Sequence, residues 1–150
     1  ALPLGSPTPF VSIIRQTPIG KRKKGIEVFG HDYSTPDGTC IRDYIHVVDL
    51  AKAHVVSIER LLHNKTKSNF ETFNIGTGKG YSVLELLTQF EKVSGLKLDY
   101  KIVNRRPGDI ESMYADTTYS NSELGWKAER NLEEMISSSW NWEKSLANKK

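Results

Sequence analysis

The chain is poor in the features that mark secreted, membrane-spanning or nucleic-acid-binding proteins. Cys40 is its only cysteine, so no intrachain disulfide can form and a reducing, cytoplasmic setting is expected. No apolar run reaches the length of a membrane span, and the opening ALPLGSPTPF has neither the basic start nor the apolar core of a signal peptide. The net charge of +3 is mild for 150 residues and gives only weak support for anionic partners. The one dense basic run, Lys21-Arg22-Lys23-Lys24, has no aromatic side chains between its cations, so it reads as a solvated connector and not as a nucleic-acid patch. His46 and His54 are poorly spaced for metal ligation on one helix, and His54 reads as a packed, hydrogen-bonded residue. No metal, nucleophile or glycosidase constellation stands out.

What is present fits one α/β unit, long enough to bury about 68–70% of the surface its unfolded form exposes. Apolar spacing predicts a short helix over residues 10–17, closed by Pro18 and Gly20, and a strand over 26–28. A polar loop over 31–39 carries the turn signal Pro36-Asp37-Gly38, and residues 41–47 should be extended. Asp49 is a candidate cap for a helix burying a stripe of Leu50, Ala53, Ser57, Ile58 and Leu61, with Arg60 facing away. Residues 72–75 are rich in β-formers. Ser82 and Glu85 form a capping box ahead of Val83, Leu86, Leu87, Phe90 and Val93, and Gly95 ends that helix. A strand through Leu96, Leu98, Tyr100 and Ile102 follows, then helices over 117–124 and after Asn131, the latter carrying Met135, Ile136 and Trp140. Trp126, Trp140 and Trp142 are read as packing residues.

Chemistry concentrates in two places. Arg42 lies in IRDYIHVVDLAKAH, and Arg105-Arg106-Pro107-Gly108-Asp109 follows much later. Guanidinium forks suit bidentate capture of phosphate oxygens, and an aspartate behind a Pro-Gly turn can accept from a sugar hydroxyl. On charge pattern alone, surface ion pairs explain the same residues. Gly76-Thr77-Gly78-Lys79-Gly80, with Asp99 downstream, imitates a dinucleotide fingerprint, but Tyr81 stands where the third glycine belongs. A tight backbone turn near a ligand is the preferred reading.

Three phrases, FGHDYSTPDGTCIRDYIHVVDLAKAH, FNIGTGKGYSVLE and RRPGD, occur here in an order and spacing that resembles the C-terminal half of the UDP-glucose 4-epimerase (UDP-galactose 4-epimerase) family. The resemblance runs from about Leu2 to the end of the chain. It implies the C-terminal, substrate-binding portion of an extended short-chain dehydrogenase/reductase over residues 1–150, with short strands and helices. The Rossmann half that carries NAD and the Tyr-x-x-x-Lys pair is expected to be missing, since no tyrosine here is followed four residues on by lysine. No catalytic, cofactor-binding or metal residue is therefore assigned to this chain.

By the same resemblance, Glu27, Val28 and Phe29 correspond to the strand whose backbone and ring hold uracil, with Val83 also at the base. Arg42 and Arg106 correspond to the diphosphate arginines, Tyr44 to a substrate-contacting tyrosine and Asp109 to the ribose-binding carboxylate. Arg105 is divided between a structural and a phosphate role. Met113 stands where bulk decides whether an N-acetylated sugar fits, and its flexibility implies soft discrimination. Pro9 replaces an asparagine that contributes to substrate binding in the family. The implied ligands are UDP-glucose and UDP-galactose, the implied partner is an N-terminal dinucleotide-binding half, and the full-length protein is expected to be a homodimer without nucleic acid or membrane partners. Two alternatives remain: a nucleotide-sugar dehydratase or decarboxylase of the same superfamily, and a non-catalytic nucleotide-sugar-binding fragment.

Overall fold

A computed structural model describes residues 26–147. The expected helix over residues 10–17, the Lys21–Lys24 run and Pro9 lie outside the described residues.

Strand β1 (Ile26–Phe29) runs parallel to β4 (Tyr100–Val103), in a register that sets Ile26 opposite Tyr100 and Phe29 opposite Val103. A second, three-stranded sheet is centred on β2 (Ile41–Asp43), with β3 (Gly80–Ser82) antiparallel on one side and β5 (Ser112–Met113) parallel on the other. Four helices surround them: α1 (Val47–Leu62), α2 (Val83–Ser94), α3 (Thr118–Leu124) and α4 (Leu132–Ala147).

The main core follows from the periods of its elements. Strand alternation sends Ile26 and Val28 inward, and helical spacing sends Leu86, Leu87 and Phe90 of α2 to meet Leu132, Met135, Ile136 and Trp140 of α4. Phe90 meets Trp140 edge-on, with ring centroids 5.5 Å apart. The Ser82–Glu85 capping box opens α2 as expected, and Gly95, at φ 72°, closes it in the left-handed conformation that only glycine adopts without strain. A matching reciprocal cap joins Asn131 and Glu134 at the start of α4.

The α1 region departs from expectation. The cap is His46, not Asp49: its Nδ1 accepts from the Val48 N–H at 3.0 Å, so the extended stretch ends before Val47. With Nδ1 accepting, Nε2 carries the proton and donates to Ser138 Oγ at 3.0 Å. Asp49 is buried and turned instead onto the backbone N–H groups of Glu129 and Arg130, at 3.1 and 2.8 Å, and onto the Arg130 guanidinium. Burial alone pushes its pKa up, but these donors outweigh it and hold the carboxyl below its usual range.

Nor does the predicted stripe face inward as a unit. Ala53 is buried, packing with Leu124 and Trp126 as a second core, but Ile58 and Leu61 are exposed. Arg60 faces in, gripping Glu71 through Nε and Nη2 at 2.8 and 2.9 Å and Glu123 at 3.0 Å. A bidentate partner inside outweighs the exposure expected of a charged residue. His54 is exposed, its Nδ1 bonded to the Leu50 carbonyl at 2.8 Å, and Trp142 is exposed as well. Residues 72–75 form no strand, because no strand lies beside them among the described residues. Phe73 stacks on Tyr119 at 5.7 Å, and the Asn74 carbonyl accepts from Ser120 Oγ at 2.6 Å.

Phe90→Ala removes the most enclosed ring of the main core and is expected to cost about 3–5 kcal/mol in urea unfolding. The Arg60 guanidinium, followed by the Lys67 backbone N–H, holds the Glu71 carboxyl at about 2 against an ordinary 4.5. A carboxyl depressed in the folded state stabilises it above the ordinary value, and that contribution disappears as pH falls from 4.5 towards 2. Glu71→Gln should therefore flatten the fall of the urea midpoint across this acid window.

Candidate functional site

Along β1 the side chains opposite the core are Glu27 and Phe29. Glu27 pairs with Lys101, its register partner on β4, at 3.0 Å. The Phe29 ring lies under the Arg106 guanidinium at 4.5 Å, a cation–π contact that fixes where the cation sits. Val28 sends its side chain into the core, leaving only its backbone to meet a ligand. Among the described residues β1 pairs with β4 and with no other strand.

Arg42 sits at the middle of β2, opposite Met113 of β5 and Tyr81 of β3. Its Nη1 donates to the Ile41 carbonyl at 2.7 Å and, at 3.4 Å, to that of Glu111, and its Nη2 meets Asp109 Oδ1 at 2.8 Å. The other oxygen of Asp109 lies 3.3 Å from Arg106 Nη2. Two guanidiniums, one from strand β2 and one from the loop between β4 and β5, thus converge on one carboxylate, next to an aromatic face. The Arg42–Asp109 pair is largely shielded, with side chains 23% and 16% exposed, so it is screened less than an ordinary surface pair.

The other expected residues divide. Met113 is exposed beside Arg42. Tyr44 and Val83 are half-buried and pack against the main core. Desolvation raises the Tyr44 pKa, in line with that packing. Arg105 does not join the cluster. Its Nε meets Asp32 Oδ1 at 2.6 Å and its guanidinium stacks 3.9 Å over the Tyr33 ring.

Sequence reasoning passed over Asp43, immediately after Arg42. Its carboxylate accepts from the Thr77 backbone at 3.0 Å, the Thr77 hydroxyl at 2.6 Å, the Gly78 backbone at 3.1 Å and the Ala115 backbone at 3.2 Å. The amide cradle of the glycine-rich turn is therefore filled by the chain's own anion, the arrangement such a turn otherwise offers to phosphate. Gly76 is required by this closeness, since a Cβ there would lie 2.4 Å from Asp43 Oδ2 and 2.7 Å from the Ala115 Cβ. The available signal in the sequence was a glycine-rich turn whose closely spaced N–H groups call for an anion.

Above this clamp opens a cleft of about 470 Å³, whose wall includes Arg42, Ile45, Phe73, Asn74, Met113, Tyr114 and Asp116. Its wall is mostly apolar, with a few polar groups.

The family model described as GDP-mannose 4,6 dehydratase matches residues 8–139. The chain belongs to this family of extended short-chain dehydrogenase/reductases. It is 47% identical over 146 residues to the UDP-glucose 4-epimerase of Bacillus subtilis, and 45% identical over 142 residues to that of Mus musculus. These alignments take in 97% and 95% of this chain but 42% and 40% of the relatives, so the chain spans well under half of their length and matches their C-terminal portion. Among solved structures, the Bifidobacterium longum UDP-glucose 4-epimerase, in complex with NAD+ and UDP, superposes with a TM-score of 0.82 at 45% identity, covering 93% of this chain and 40% of that one. The enzyme from Stenotrophomonas maltophila, with bound NAD and formylated UDP-arabinopyranose, gives 0.86 at 40% identity over 99% and 43%. The fold is accordingly the α/β C-terminal portion of such enzymes, without the N-terminal half.

Asp43→Ala removes the acceptor of several backbone N–H groups at once and is expected to cost about 2–3 kcal/mol in urea unfolding, with Asp43→Asn in between.

Proposed function

We propose that this chain is the UDP-sugar-binding half of a UDP-glucose 4-epimerase, competent to interconvert UDP-glucose and UDP-galactose only together with an N-terminal half that holds NAD. The observation that carries the reading is the convergence of Arg42 and Arg106 on Asp109 beside Phe29. Two guanidiniums gathered at one carboxylate offer the charge and forked donors that a diphosphate takes, and the aromatic face of Phe29 lies beside them where a base can be held. Tight retention of the nucleotide leaves the hexose free to turn between hydride removal and return, as epimerisation at C4 requires. The cleft beside Arg42 is the natural place for the hexose, with Met113 at its rim.

Helix α1 supports the need for a second half. Val47, Ala51, Val55, Ile58 and Leu62 recur at helical spacing on its exposed side, while Ala53 packs inward, so the helix carries apolar surface on two faces. Such a helix is at home between two layers of protein. The relatives carry more than half their length outside the region matched here, and in this reading their N-terminal sheet covers α1 and takes residues 72–75 as an added strand. No helix among the described residues is long and apolar enough to cross a membrane. A cytoplasmic, homodimeric full-length protein belongs to the same reading.

Calorimetric titration of the folded chain with UDP should give micromolar binding that Arg42→Ala and Arg106→Ala each weaken by at least about a hundredfold, the loss expected when a charge-assisted diphosphate contact goes. A flat titration would overturn the proposal. Joined in frame to the N-terminal portion of the Bacillus subtilis relative, the chain should convert UDP-glucose to UDP-galactose. Loss of water from UDP-glucose would favour instead a dehydratase, the reaction named by the family description, and loss of carbon dioxide from UDP-glucuronic acid a decarboxylase.

A further inference from the structure

We propose that Arg105 is a positioning residue for the anion site: it latches the loop between β4 and β5 to the segment after β1, and so holds its neighbour Arg106 in place before a ligand arrives. The inference rests on the UDP reading and adds to it a residue that works without touching the nucleotide.

The loop has little else to hold it. Residues 104–108 are all exposed, so no buried side chain anchors the stretch that carries both arginines. Arg106 is held only by its contact over Phe29 and by an ion pair of 3.3 Å to Asp109, with its side chain about half exposed. Arg105 is gripped far more firmly. Its Nε donates to Asp32 Oδ1 at 2.6 Å, its Nη2 donates to the Asp32 carbonyl, and its guanidinium lies 3.9 Å from the Tyr33 ring centroid. The aliphatic stem is placed as well. A Cβ on Gly30 would lie 2.9 Å from Arg105 Cγ and 2.4 Å from Tyr33 Cε2, so the bare backbone there, at φ 79°, leaves the groove in which stem and ring meet.

What Arg105 grips is itself fixed. Tyr33 is buried and its N–H donates to the Gly38 carbonyl at 3.1 Å, while the Gly30 N–H donates to the carbonyl of Val103, the last residue of β4, at 2.8 Å. Further along, Asp37 ties the same segment to Ser82 at the start of α2. The Arg105 guanidinium holds the Asp32 carboxyl below its usual range, so the latch keeps both charges throughout the neutral range. An exposed ion pair contributes little to the stability of the fold. Its effect here is preorganisation: with residue 105 pinned, Arg106 starts from a fixed place, and a ligand bears less of the cost of ordering a loose loop. Of two adjacent arginines, one holds and the other binds.

The test is a set of calorimetric titrations of the full chain and its variants with UDP at one ionic strength. Arg105→Ala should weaken UDP about tenfold while the urea midpoint barely moves. Arg105→Lys keeps the charge but loses the fork, and should stay well below the unaltered chain; full recovery would assign the effect to charge alone and overturn the latch. Asp32→Ala separates the two causes by sign. Removing an acid near an anion site tightens UDP if charge alone acts, whereas the latch requires UDP to weaken, by about threefold. In an Arg106→Ala background, Arg105→Ala should cost less than about threefold more, and a further tenfold loss would mean that Arg105 meets the phosphates directly. That result, or unchanged UDP affinity in Arg105→Ala, overturns the positioning role and leaves the UDP reading standing. A flat titration of the unaltered chain overturns both. If Arg105→Ala fails to fold, Asp32→Ala decides alone: weaker UDP binding supports the latch, and unchanged or tighter binding overturns it.

Discussion

The site is organised around the carboxylate of Asp43. Placed at the end of β2, it gathers the N–H groups of the 77–78 turn and of Ala115, and so ties β2 to the approach to β3 and to the exit from β5. Arg42 precedes it on the same strand, and both residues border the same cleft. The clamp and the candidate diphosphate group are therefore one geometric unit. Moving Asp43 would shift the floor of the cleft and the root of Arg42 together. Gly76 belongs to the same unit, because nothing larger fits between the clamp and Ala115.

A second electrostatic knot holds the opposite end of α1. Arg60 joins that helix to Glu71, ahead of Phe73, and to Glu123 at the end of α3, while its guanidinium lies 5.8 Å from the Phe73 ring centroid. The segment over 71–75 is thus held by ion pairs, stacking and one side-chain bond to a carbonyl, and not by a strand ladder. His46 and Asp49 secure the other end of the helix to Ser138 and to residues 129–130. The inner side of α1 is fastened mostly by polar contacts, and much of its apolar surface is turned outward.

Elements whose signal is local could be read from the residues alone. The capping box at Ser82, the glycine stop at Gly95, the α2 and α4 apolar faces and strand β1 each follow from a few neighbouring side chains. What escaped depended on distant partners. Arg60 looked like a surface cation because Glu71 and Glu123 are brought to it only by folding, and Asp49 looked like a cap because the amides of 129–130 lie far along the chain. Strands β3 and β5 are too short to show a period, and residues 72–75 have the composition of a strand without a neighbour to pair with. At the site, arginine pairing with Asp109 was readable from residue type, but the tie of Arg105 to Asp32 and Tyr33 was not, since adjacent arginines carry the same chemistry and differ only in direction.

The loop over 104–111 leaves one sheet at Val103 and enters the other at Ser112, carrying Arg106 and Asp109 across the gap. Phe29 stands on the first sheet and Arg42 on the second. Any ligand gripped from both sides acts as a rivet between two layers that otherwise share little hydrogen bonding. Occupancy should then stiffen this region as a whole, slowing amide exchange in β1 and β2 alike, although the two strands belong to different sheets.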